Sequence, residues 1–79
     1  MDSIEGTKQE AIGTRLKRLR GLLVITQAEL ATKSSVPLPT IKNIERGFTS
    51  IPRVKTIRLL ARVLKVSASY LKNGEIYHQ

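Results

Sequence analysis

Residues 25–47, ITQAELATKSSVPLPTIKNIERG, hold two short helical patterns on either side of a polar turn at 34–36. Thr26 is placed to act as an N-cap, and Glu29 three residues on completes a capping box. Ile25 and Leu30 occupy the N′ and N4 positions of a hydrophobic staple, so two devices fix one helix start. Ala28, Leu30 and Ala31 then give a small apolar face that lets another helix approach closely, and the pattern fades at Ser34 and Ser35. The second helix begins over residues 37–39, because proline fits a first turn where its missing N–H would have no partner. Val36, Ile41 and Ile44 fall on its inner side, and Gly47 supplies a left-handed stop. Leu38, Thr40, Lys42, Asn43 and Arg46 remain for an outer face too polar for a core of this size to absorb.

Upstream, Ile12, Leu16, Leu19 and Leu23 recur at helical spacing, with Arg15, Lys17, Arg18 and Arg20 filling the other faces. Downstream, Pro52 can open a fourth helix whose apolar residues are Val54, Ile57, Leu60, Ala61 and Leu64. Its other side carries Arg53, Lys55, Arg58, Arg62 and Lys65. A short fifth helix has Ser67 as N-cap, Val66 and Leu71 as a staple, and Asn73 and Gly74 as its close. No segment alternates as a strand would, and there is no internal repeat. The spacing predicts an all-α, compact five-helix domain over residues 11–74, preceded by a flexible arm at 1–10 and followed by a tail at 75–79.

With 79 residues there is room for one modest core and not two. No apolar run approaches the length of a membrane span, and the start MDSIEGTKQE has neither a basic nor an apolar region of a secretion signal. The absence of cysteine excludes disulfides and thiolate metal sites and fits a reducing, cytoplasmic setting. The charge is more telling. Fourteen Lys and Arg face six Asp and Glu, and residues 11–73 hold thirteen of the bases against only Glu29 and Glu45. A surface built merely for solubility interleaves both signs; this body is a polycation, and its natural partner is a polyanion. Basic residues opposite leucines in the first helix also suit a membrane surface. The further amphipathic segments need a packing partner, however, which favours a core.

The inventory for catalysis is poor. His78 is the only histidine and lies near the end; there is no cysteine, no glycine-rich phosphate loop and no histidine pair at metal spacing. Glu29 is engaged by the capping box and Glu45 by the pairing described below. A non-enzymatic binding protein without metal or cofactor is the expectation.

Two short helices joined by a tight turn, the second with a polar face, have the layout in which one helix crosses a phosphate backbone and the next enters the major groove. The helix start at Thr26 and Gln27 offers free N–H groups, a hydroxyl and an amide for phosphate. On the second helix Asn43 can pair with an adenine edge, Lys42 can reach guanine or phosphate, and Leu38 can touch a thymine methyl. Arg46, near the end, suits phosphate.

At these residues the chain resembles the Cro/C1-type (XRE) helix-turn-helix regulators, which include the phage repressors. The resemblance covers residues 12–74. It is carried by Gly13 and Arg20, by TQAELA at 26–31, by V-x-x-x-T-I-x-x-I-E-x-G at 36–47 and by V-S-x-x-x-L-x-x-G at 66–74. It implies a lambda-repressor-like five-helix domain, with Thr26, Gln27 and Arg53 on phosphate and Asn43 among the base readers. It also implies an ion pair between Arg20 and Glu45 that ties the first helix to the third. Leu38, Pro39, Thr40, Lys42 and Asn43 are then the candidate base-reading set, and Thr26, Gln27, Arg46 and Arg53 the phosphate set.

Two departures from the family pattern stand out. Val24, Ser35 and Lys65 occupy positions where the family usually has glycine. If they keep a positive φ, each costs about 1 kcal/mol relative to glycine. Val24 is the hardest case because it is β-branched, so the first helix is expected to run on or bend there. Leu38 stands where many members carry a glutamine that reads a base and bonds the residue matched by Gln27. With Pro39 beside it, base reading shifts to Asn43, Lys42 and Thr40 and to DNA shape.

The expected function is sequence-specific double-stranded DNA binding by a small transcriptional repressor. It would act as a homodimer on an operator, with the third helix in the major groove and no membrane partner. Tyr70, Leu71, Ile76 and Tyr77 are candidates for the dimer patch, although core closure is the better use of Leu71. The rivals are an antitoxin-type regulator or a restriction-controller protein whose DNA binding is coupled to a protein partner.

Overall fold

The computed structural model describes residues 10–75, and among these every regular element is a helix. The helices are α1 (Ile12–Leu22), α2 (Gln27–Ser34), α3 (Leu38–Glu45), α4 (Val54–Leu64) and α5 (Ala68–Asn73). α1 packs on α3 and α5, α2 on α3 and α4, and α4 on α5, which closes the helices around one core. Leu16, Leu30, Ile41, Ile44, Leu60 and Leu71 fill its centre and are almost wholly shielded from solvent. Each such side chain contributes roughly 1.5–3 kcal/mol of hydrophobic stabilisation.

The helix starts follow local chemistry. Thr26 Oγ1 accepts from the Glu29 N–H at 3.0 Å while the Glu29 carboxylate accepts from the Thr26 N–H at 2.8 Å, so the capping box is complete. Ser67 caps α5 by accepting from the Tyr70 N–H at 2.9 Å. α3 starts at Leu38 behind Pro37, with Pro39 in its first turn.

All five helices stop at a left-handed residue, and only Gly47 and Gly74 among the five are glycines. Val24 (φ 56), Ser35 (φ 64) and Lys65 (φ 62) take that conformation with a side chain in place. The expectation that α1 runs on or bends at Val24 is therefore corrected. α1 ends at Leu22, and the Val24 and Ile25 N–H groups fold back onto the Gly21 and Arg20 carbonyls. These two bonds satisfy helix-end acceptors and offset the strain in a residue that is itself exposed. In the α2–α3 turn, buried Ser34 accepts from the Val36 N–H, giving that donor a partner.

Three residues assigned by spacing sit elsewhere. Leu23 follows the end of α1 and is 39% exposed, and Val54 opens α4 at 58% exposed, so neither belongs to the core. Arg15, expected on an outer face, is 1% exposed. It is three residues after Ile12 and one before Leu16, hence on the inward face. Its guanidinium donates to the Leu71 and Glu10 carbonyls at 2.9 and 2.6 Å, which ties the approach to α1 to the end of α5. Arg18 completes this latch with two bonds to the Glu10 carboxylate, both 2.9 Å, and one to the Tyr70 hydroxyl at 2.8 Å. Glu10 is thus held, whereas the rest of the expected arm and residues 76–79 of the expected tail lie outside the described residues.

Candidate nucleic-acid interface

The orientation of α3 is set from inside. Gly13 on α1 faces the α3 backbone so closely that a Cβ there would collide with the Ile44 carbonyl oxygen. Ile41 and Ile44 anchor the inner face in the core. Next to them the Glu45 side chain, 5% exposed, accepts two bonds from Arg20: Nε to Oε2 at 2.8 Å and Nη2 to Oε1 at 3.0 Å. Arg20 also donates from Nη1 to the Ile25 carbonyl at 2.9 Å. Gln27 Nε2 donates to the same Glu45 Oε1 at 3.0 Å. One carboxylate therefore joins α1, the start of α2 and the end of α3. The Glu45 bond raises the Arg20 guanidinium above its ordinary range, against the opposing effect of burial.

The bond from Gln27 answers the departure at Leu38. Because an ionised carboxylate only accepts, Gln27 must turn its nitrogen to Glu45, and one amide N–H is left for a further acceptor. Leucine at position 38 does not leave the glutamine loose.

The far side of α3 is open. Pro39, Lys42, Asn43 and Arg46 are exposed along it, and Leu38 and Thr40 are half-buried on its flanks. None of the side chains of Thr40, Lys42 and Asn43 is engaged within the described residues. The backbone of Asn43 is engaged: its carbonyl accepts from the Phe48 and Thr49 N–H groups at 2.9 and 3.1 Å, which locks the end of the helix while its side chain stays free. Arg46 lies over the Phe48 ring, 5.2 Å from its centre, and that contact restrains the guanidinium at the same end.

Two open clefts flank α3. Lys17, Arg20, Gln27, Lys42, Glu45 and Arg46 line one of about 420 Å³. With Arg20 and Glu45 satisfied by each other, Lys17, Lys42 and Arg46 are its outward charges, which makes it a seat for an anion. The second cleft is lined by Pro37, Thr40, Thr49, Ile51, Pro52, Arg53 and Thr56, so the start of α4 adjoins α3 there. Thr26 and Arg53 are exposed helix caps, each beside the free N–H groups of a first turn. The candidate residues therefore gather on and beside one helix, Gln27 and Arg46 in one cleft with Lys42, Thr40 and Arg53 in the other.

Sequence reasoning missed Lys17 and Phe48. Lys17 was one cation among several on α1, and only the packing of α1 on α3 brings it beside Lys42 and Arg46. Phe48, 73% exposed, was a loop residue whose isolation as the one phenylalanine in the chain was the available signal.

A family model described as helix-turn-helix matches residues 16–71, which contain every one of these elements except the first turn of α1 and the last residues of α5. The chain belongs to the Cro/C1-type helix-turn-helix family. It is 39% identical over 57 residues to the HTH-type transcriptional repressor RghR of Bacillus subtilis (strain 168), an overlap of 72% of this chain and 42% of the relative. To the uncharacterized HTH-type transcriptional regulator RghRB of the same organism it is 41% identical over 54 residues, 68% of this chain and 39% of the relative. The chain thus spans about two fifths of the length of these curated relatives. In family terms α2 and α3 are the helix-turn-helix, and the polar outer face belongs to its second helix. Of the candidate dimer patch, Leu71 is fully buried in the core, the use expected for it, the half-buried Tyr70 accepts from Arg18 through its hydroxyl, and Ile76 and Tyr77 lie outside the described residues. No helix among the described residues is long and apolar enough to cross a membrane.

Proposed function

We propose that this chain binds double-stranded operator DNA sequence-specifically and acts as a transcriptional repressor, with α3 in the major groove. The observation that carries the reading is the contrast across α3: an inner side fixed by Gly13, Ile41, Ile44 and Glu45, and an outer side of unengaged Lys42 and Asn43 flanked by cations. Asn43 and Lys42 read base edges, Thr40, Leu38 and Pro39 contact the groove at its flanks, and Thr26, Gln27, Arg46 and Arg53 hold phosphates. Lys17 joins the phosphate set. The relatives named as a repressor and a regulator support this role.

Binding is its whole chemistry in this proposal, and it needs no metal or cofactor. One α3 offers few base contacts, so the operator is read by a homodimer on two half-sites about one helical turn apart, in the cytoplasm where DNA is accessible. Selection of bound duplexes from random DNA at fixed salt, followed by sizing of the complex, tests this. The expected result is an enriched sequence with paired half-sites and two chains per duplex; recovery of unenriched DNA overturns it.

A further inference from the structure

The outer face of α4 is not used by the reading above. Over Val54–Leu64, VKTIRLLARVL, there is no acid, and Ile57, Leu60, Ala61 and Leu64 turn inward. Lys55, Arg58 and Arg62 recur three and four residues apart, within an arc of about 60° opposite the buried side. Lys65 follows at the helix end. All four are exposed, and none has an ion pair or side-chain hydrogen bond within the described residues. Three of the four acids among the described residues are employed elsewhere: Glu10 by Arg18, Glu45 by Arg20, and Glu29 by its capping box. Neighbouring like charges on one helix face repel, so this stripe weakens the free domain.

The stripe lies on the helix that the candidate interface reaches at Arg53. α4 opens at Arg53, which lines a cleft with Thr40 of α3, whereas Lys55, Arg58, Arg62 and Lys65 lie outside both clefts that flank α3. From Lys55 to Lys65 it runs about 15 Å at 1.5 Å per residue. Each strand of a duplex carries one phosphate per about 3.4 Å of helix axis, so a stripe of that length can face more than one. A second copy of this chain is a poor occupant, since a two-fold axis would set cations against cations.

We propose that the α4 stripe binds the phosphate backbone of DNA flanking the bases read by α3, lengthening the footprint and drawing the flank toward the domain. The partner chemistry is duplex phosphate, and the proposal rests on the assignment of α3 as the reading helix.

The test compares wild type with the double variant Arg58→Gln, Arg62→Gln. Each is titrated against the selected operator as a duplex ending at the read bases and as one extended by a turn, about 10 base pairs, on both sides. Each phosphate contact contributes about 0.9 to the slope of log affinity against log salt. The double variant is expected to lose about two units of slope on the long duplex and none on the short one, with its circular dichroism unchanged. Equal slopes for variant and wild type on the long duplex overturn the proposal. So does an equal loss on both duplexes, which would put the two arginines within the core site. Loss of binding to a polyglutamate peptide, with DNA slopes intact, would assign the stripe to an acidic protein and overturn it too. Failure of the underlying reading shows differently, as equal affinity of the wild type for selected and random duplexes.

Discussion

Arg20 grips Glu45 through two parallel hydrogen bonds of 2.8 and 3.0 Å, and the carboxylate it holds is 5% exposed. The pair fixes the relation between α1 and the end of α3. Removing one partner leaves the other charge largely buried with a single remaining hydrogen bond, from Gln27 for Glu45 or to the Ile25 carbonyl for Arg20, which costs more than the pair itself contributes. Arg20→Leu is therefore expected to destabilise by about 3 kcal/mol in urea denaturation, and Arg20→Lys to recover only part of this because the two-pronged geometry is lost. A lysine variant as stable as wild type would show that charge alone suffices.

Helix-end strain makes an opposite prediction. Val24→Gly removes a β-branched side chain from a positive φ while giving up almost no burial, since Val24 is 87% exposed. A gain of about 1 kcal/mol is expected, seen as a rise in Tm of about 4–8 °C for a domain of this size. Lys65→Gly should behave alike. Gly13→Ala runs the other way, because its Cβ meets the α3 backbone and not a flexible side chain. It is expected to cost about 1–3 kcal/mol, with α3 displaced.

The latch at Glu10 predicts a pH dependence. Its hydrogen bonds from Arg18, more than the nearby charges, hold the Glu10 carboxyl below its ordinary 4.5, against the raising effect of burial. A depressed folded value means that the contribution is complete above pH 4.5 and is lost as pH falls through the folded value. Glu10→Gln should therefore lower stability by about 1–2 kcal/mol at pH 7, and the gap to wild type should narrow only below pH 4.5. A gap that is constant down to pH 2 would mean that the ionised carboxylate is not what holds the latch.

On DNA, Asn43→Ala and Arg53→Ala should separate. Asn43→Ala is expected to cost about 1–3 kcal/mol at one base position and little on random sequence. Arg53→Ala should weaken all sequences alike and reduce the salt slope by about one. Titration of operator, single-base variants and random duplex at several salt concentrations distinguishes the two; equal losses on operator and random DNA for Asn43→Ala would remove it from the base readers.

The helices were legible wherever a local device marks them. The Thr26–Glu29 box, the Ser67 cap and the Gly47 and Gly74 stops all act within a few residues, so their chemistry is complete in the sequence. What was hidden depends on residues far apart. Arg15 has core spacing, but a buried guanidinium is acceptable there because of acceptors on the folded chain that include the Leu71 carbonyl, 56 positions away. The strain at Val24 is local and visible in the sequence, whereas its compensation, two carbonyls of the preceding turn, appears once α1 has formed. The place of Gln27 at a helix start points to phosphate; its bond to Glu45 exists only once α3 is folded against it.

The free side chains of Lys42 and Asn43 carry a last implication for inheritance. The frame that aims α3 is written in Gly13, Arg20, Gln27, Ile41, Ile44 and Glu45, and the reading face shares none of those positions. Substitutions at 38, 39, 40, 42 and 43 can therefore accumulate while the fold persists. Duplicated descendants could acquire new target sites in a few mutational steps, each remaining a working domain along the way.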